Sequence, residues 1–166
     1  KDVLGENHLD TAGSYVNIGI VYDELGDYDK ALEYSNKALE IKKEVLEENH
    51  RDTAISYNNI GVVYDELGDY DKALEYHNKA LEIKKEVLGE KHASTAMSYN
   101  NIGNVYDDLG DYDKALEYHN KALEIFEEVL GESHPYTQQT IQNISEAKQK
   151  LEETQGKREE PKKKKG

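Results

Sequence analysis

The sequence predicts an all-α fold, a solenoid of stacked antiparallel helix pairs with a capping helix at the carboxyl end. Three observations predict it. His8, His50, His92 and His134 recur every 42 residues, and Gly19, Gly61 and Gly103 keep the same step. Within each period the apolar residues fall three and four apart, the spacing of one helix face. Glycine followed by aspartate at 26–27, 68–69 and 110–111 then ends one helix and starts the next. A helix pair of this size cannot bury its apolar face alone, so neighbouring copies stack to do it.

Residues 1–8, KDVLGENH, match KEVLEENH at 43–50 and KEVLGEKH at 85–92, and are expected to be the end of a truncated preceding repeat. Repeats then occupy 9–50, 51–92 and 93–134. In the middle one, Tyr57, Ile60, Gly61, Tyr64 and Leu67 form the stripe of a first helix over about 52–67. Gly68 supplies the left-handed residue that stops it, and Asp69 caps a second helix over 70–88. Ala73, Leu74, Tyr76, Ala80, Leu81, Ile83, Val87 and Leu88 give that helix a broad apolar face. Small residues such as Gly61, Ala73 and Ala80 admit close helix approach. Residues 135–155 keep Ile141, Ile144, Ala147 and Leu151 at helical spacing but are otherwise polar, as a terminal cap requires. Phe126 replaces the lysine of the earlier copies and is expected to pack beneath that cap. Residues 156–166 form a flexible basic tail carrying Lys157, Arg158 and four lysines at 162–165.

Composition sets outer limits. The 166 residues carry a formal charge of −14 and are 36% hydrophobic, values that suit disorder unless the apolar residues are ordered in sequence, as they are here. Absence of cysteine excludes disulfides and thiolate metal sites. No apolar run approaches the ~20 residues of a membrane helix.

The string NNIGVVYDELGDYDKALEYHNKALEI at 58–83 resembles the tetratricopeptide repeat. Tyr57 stands at the family's first large aromatic position, followed by Gly61, Tyr64, Ala73 and Ala80. The 42-residue period and the loop GEKH at 89–92 are similar to the longer repeats of kinesin light chain. Lys85 replaces the usual proline, which lengthens the second helix. The resemblance implies a right-handed solenoid with a concave face, a protein–protein interaction role and a cytoplasmic setting.

Residues copied at every period are better explained by structure than by catalysis, which needs one asymmetric constellation. The loop histidines are therefore expected to bond helix starts, His77 and His119 to fill the core, and the Asp-rich turns to act as caps. No enzyme activity, cofactor or metal site is expected. A second stripe on each first helix is more informative. Ile55, Asn59, Val62 and Glu66 share a face; its counterparts are Gly13, Asn17, Ile20 and Glu24, then Met97, Asn101, Asn104 and Asp108. Residues 52–88 and 94–130 differ at six of 37 positions, and three of those differences fall on these four stripe positions. Variation on a fixed scaffold marks a binding face.

Asn17, Asn59, Asn101 and Asn143 persist through every copy, and Asn58 and Asn100 widen the strip. Their amides suit either the backbone of an extended peptide or a bridge between adjacent helices. Similar asparagine ladders line the concave face of peptide-binding relatives. Asp65, Asp107, Glu24, Glu66 and Asp108 make this face acidic, whereas relatives that hold acidic peptides place basic residues there. The expected partner is another protein or peptide of basic or neutral character, with neither nucleic acid nor membrane as a partner. The alternative is a self-associating array in which the uncapped amino-terminal face makes a homo-oligomer by end-to-end stacking.

Overall fold

A computed structural model describes residues 8–46 and 48–159. The expected repeat remnant at 1–7 and the tail beyond Glu159 lie outside the described residues. Seven helices follow in order among those residues: α1 Leu9–Glu24, α2 Tyr28–Val45, α3 Arg51–Glu66, α4 Tyr70–Leu88, α5 Ala93–Asp108, α6 Tyr112–Leu130 and α7 Pro135–Glu159. No described residue is in a strand. Each odd helix pairs with the even helix after it, and each pair stacks on the next.

Local chemistry sets these boundaries. The imidazoles of His8, His50 and His92 accept the backbone N–H two residues on, at 3.1, 3.1 and 3.0 Å, which caps α1, α3 and α5. His134 does the same for Tyr136 at 3.2 Å. At the tight turns Gly68 has φ +72°, its N–H bonding Asp65 O at 2.8 Å while Asp69 N–H bonds Tyr64 O at 2.9 Å. Asp69 then caps α4.

Packing within a pair is led by small residues and tyrosines. Gly61 faces the buried ring of His77, so close that an added Cβ would lie 2.8 Å from it. Tyr76 stacks on Tyr64 at 5.5 Å and tilts against Tyr57 at 6.1 Å, with the Lys79 ammonium 5.0 Å over its ring. Gly61→Ala should therefore lose stability, because crowding the ring costs about 1–3 kcal/mol against the ~1 kcal/mol of helix propensity gained. Gly13, with nothing within 4 Å of an added Cβ, is the contrast. Gly13→Ala should gain about 0.5–1 kcal/mol in the same urea titration.

Between pairs, Leu39 meets Ala54, Tyr57 and Ile60, and one period later Leu81 meets Ala96, Tyr99 and Ile102. Phe126 lies under the cap as expected, 1% exposed and 5.8 Å from the Tyr136 ring. The cap itself differs in two respects. Its buried face is Thr137, Thr140, Ile144 and Ala147, while Ile141 is 40% exposed. Ile141 stands one period after Tyr57 and Tyr99, whose rings pack on the second helix of their own pair, and α7 has no such partner among the described residues. The helix also runs four residues past 155.

Candidate functional site

The exposed sides of α1, α3 and α5 lie next to one another, with α7 beside α5. Three clefts open along them. One of about 170 Å³ joins Ile20 and Asp23 of α1 to Asn59 and Val62 of α3, over Gly19 and Ser35. A second of about 310 Å³ gathers Asp65, Glu66, Asn104, Asp107, Asp108 and Asn143, with His119 at its base and Glu146 beside them. A third of about 250 Å³ brings Ile55, Asn58 and Met97 together with Lys84. Asn17, Glu24, Asn100 and Asn101 belong to none of the three.

The asparagines divide into two groups. Asn101 Nδ2 donates to Asn58 Oδ1 at 2.8 Å, and Asn143 Nδ2 donates to Asn104 Oδ1 at 3.2 Å. These amides are engaged by the neighbouring helix. Asn100 Oδ1 accepts from His119 Nδ1 at 2.9 Å, which fixes the proton on that nitrogen. Asn58 is the corresponding residue for His77; its Oδ1 accepts from Asn101, and His77 Nδ1 is buried without a partner among the described residues. Asn59 falls opposite Val16, which has no amide, and its side chain faces the first cleft instead. Asn17 is exposed.

The carboxylates follow one rule. Each first helix sets an aspartate against the acidic residue 43 positions later on the next first helix: Asp23 with Glu66, and Asp65 with Asp108. Burial first, then Asp108 and Glu66, push the Asp65 carboxyl up to about 6. Burial, then Glu66 and Glu24, also raise Asp23. Oδ1 of each is buried without a hydrogen-bond partner. In the last layer the partner changes sign. Lys150 of α7, one period after Asp108, forms an ion pair with Asp107 and lies 5.8 Å over the Tyr112 ring.

Two features of this surface were not anticipated from the sequence. Lys150 was legible as a charge reversal in an otherwise acidic column. Lys42 and Lys84 are buried lysines, found by their place seven residues after Ser35 and His77 on the packed face.

Helix pairs stacked in this way, each with a glycine-centred turn, define a repeat solenoid. The chain belongs to the tetratricopeptide repeat family, whose sequence profile matches residues 1–44, 10–86, 52–128 and 94–155. No curated protein matches the sequence. Among solved structures it is similar to BtubC (BKLC) from P. vanneervenii, at 31% identity and TM-score 0.78 over 87% of this chain and 57% of that one. It also resembles kinesin-light-chain-like, nearly identical TPR-like repeats from Podosopora anserina, at 20% identity and TM-score 0.78 over 90% of this chain and 71% of that one. The TPR2AB domain of yeast Sti1 in its pHSP90 complex is 24% identical, with TM-score 0.71 over 89% of this chain and 50% of that one. The chain thus spans little more than half of the first of these proteins. Among the described residues no helix is long and apolar enough to cross a membrane, and no group of three or more His, Asp or Glu could hold a metal ion.

Proposed function

We propose that the protein is an interaction scaffold whose row of first helices holds an extended segment of basic character. Membership of a family with structurally similar members such as Sti1, solved with pHSP90, supports the general role. The single observation that carries the basic preference is Lys150. It sets an ammonium against Asp107, in the register where Asp23–Glu66 and Asp65–Asp108 oppose carboxylate to carboxylate. A ligand ammonium at those two pairs would do what Lys150 does in the last layer. Packed helices lie 8–10 Å apart, and three residues of polyproline II advance about 9 Å. The matching ligand therefore carries lysine or arginine at every third residue. Asn17 and Asn59, whose amides make no hydrogen bond among the described residues, would bond its backbone.

Fluorescence anisotropy tests this with a labelled peptide of Lys-x-x-Lys pattern, its glutamate counterpart, and a peptide with the lysines bunched together. The Lys-x-x-Lys peptide should bind best and weaken with added salt. Asp65→Asn should weaken it about five- to tenfold, the loss of roughly 1–1.4 kcal/mol. Equal binding of the glutamate peptide, or indifference to Asp65→Asn, would overturn the proposal.

A second reading, end-to-end self-association, is favoured by the outer face of α1. Ile18 and Val21 are 37% and 53% exposed, whereas their counterparts Ile60 and Val63 are 0% and 3%. Sedimentation mass that rises with concentration and falls back with Val21→Lys would support it.

A further inference from the structure

The third cleft differs from the other two in its charge. It opens between α3, α4 and α5, where the first turns of α3 and α5 come together. Lys84 reaches it from α4 and Arg51 from the start of α3, with Asn58 and Ser94 as further polar groups. Ile55, Leu88 and Met97 supply apolar walls.

Lys84 is 7% exposed, and its Nζ makes one hydrogen bond, to Ser98 Oγ at 2.8 Å. No carboxylate pairs with it among the described residues. The layer before shows what is missing. Lys42 Nζ donates to Ser56 Oγ at 3.0 Å and also to the Asp52 carbonyl at 3.1 Å, and the Asp52 carboxylate offsets part of its burial. One period after Asp52 stands Ser94, so Lys84 has lost that counter-charge. In the layer after, the lysine itself has become Phe126. Arg51 is exposed and forms no ion pair among the described residues, and its counterparts are Leu9 and Ala93.

Two cations without a carboxylate partner among the described residues thus line this cleft. The third group facing Lys84 is His77, whose ring is held neutral by burial and then by the Lys84 charge, at about 4. No acid on α4 neutralises the lysine. A buried charge is retained at a cost unless something compensates it. The starts of α3 and α5 add positive potential of their own.

We propose that this cleft binds the anionic group of a ligand, a carboxylate or phosphate on a short aliphatic stem, with Lys84 and Arg51 as its ion-pair partners. Asn58 and Asp65 lie seven residues apart on α3, about 10 Å along the helix. A segment held as proposed above would then carry cations along the acidic clefts and one anion at the opposite edge. That placement on a segment rests on the preceding reading, whereas the anion cleft itself does not.

The test uses the intact chain and small anions alone. Lysine side chains labelled with 13C at Cε are followed by NMR, at constant ionic strength in chloride, as sodium phosphate or sodium acetate is added. The Lys84 signal should shift saturably with at least one of them, and its midpoint should rise from about 8. Lys42 should not respond. Arg51→Ala should weaken the response several-fold, and Lys84→Met, a volume-conserving change, should abolish anion binding while leaving the circular dichroism spectrum intact. Response to phosphate alone would assign a phosphorylated ligand, and response to acetate would assign a carboxylate. If neither anion moves Lys84 more than Lys42, the proposal fails, whatever the basic peptides do.

Discussion

Phe126→Ala is expected to be the most damaging single substitution in the chain, lowering unfolding free energy by about 3–5 kcal/mol. Phe126 is the largest fully buried side chain, and it joins α6 to the cap through Tyr136 and the cluster around Ile125 and Ala122. Truncation would leave a cavity between α6 and the cap. Stability in a stack of this type is a sum over layers and their interfaces. The loss should therefore appear first as fraying of α7. Hydrogen exchange should show α7 amides losing protection ahead of those in α3 and α4, with a matching fall in the urea midpoint. A cost below about 1 kcal/mol, or equal loss of protection in α3, would show that the cap is not held by this ring.

Asp65→Asn should raise stability at pH 7, by an amount on the order of 1–2 kcal/mol, after allowance for the partial exposure of the group. The sign follows from the proton balance. Folding raises this carboxyl from its ordinary 3.8 to about 6 through burial and two neighbouring carboxylates. The folded state therefore binds more protons than the unfolded state between those values, and the group's contribution to stability declines as pH rises through them. Asparagine removes that penalty, so the variant should gain most above pH 6 and nothing below about pH 4. His77 works in the opposite direction. Burial and the Lys84 charge hold its imidazole at about 4, so its contribution is present above 6.5 and disappears on acidification toward 4. In the parent chain the two changes offset one another over that range. In Asp65→Asn one of the groups that oppose His77 is gone, so the thermal midpoint should fall more steeply from pH 6 to pH 4 than in the parent chain. A stability difference that does not depend on pH would sink this account. On the proposed reading the same substitution weakens ligand binding, and the cleft would then trade stability for recognition.

Most of the fold was legible because one layer is written three times. The stripe on α3, the turn at Gly68–Asp69 and the histidine caps each follow from local spacing, and local spacing decides them in the structure too. Ile141 was misplaced for a non-local reason. Periodicity assigns it the role of Tyr57, but that role needs a second helix beside it, and sequence spacing does not say which helix lacks a mate. The asparagine column shows the same limit. Position alone left peptide contact and interhelical bridging open, and the geometry distinguishes the residues, because Asn101 bonds Asn58 across the helices while Asn59 faces the first cleft. Lys84 was hidden by its own neighbours. Lysines flank it in sequence, so it reads as part of a solvated run until the packed face of α4 is seen to include it.

The side-chain pairing that steps 43 residues along the chain has an evolutionary corollary. Because Asp65 addresses Asp108 as Asp23 addresses Glu66, the first three layers meet through one repeated register. Duplicating or deleting one 42-residue segment by unequal recombination would rejoin surfaces that already fit. The number of layers can drift without a new contact having to be invented, and the reach of the acidic row changes with it in whole units. On the proposed reading, ligand length would be heritable as a count.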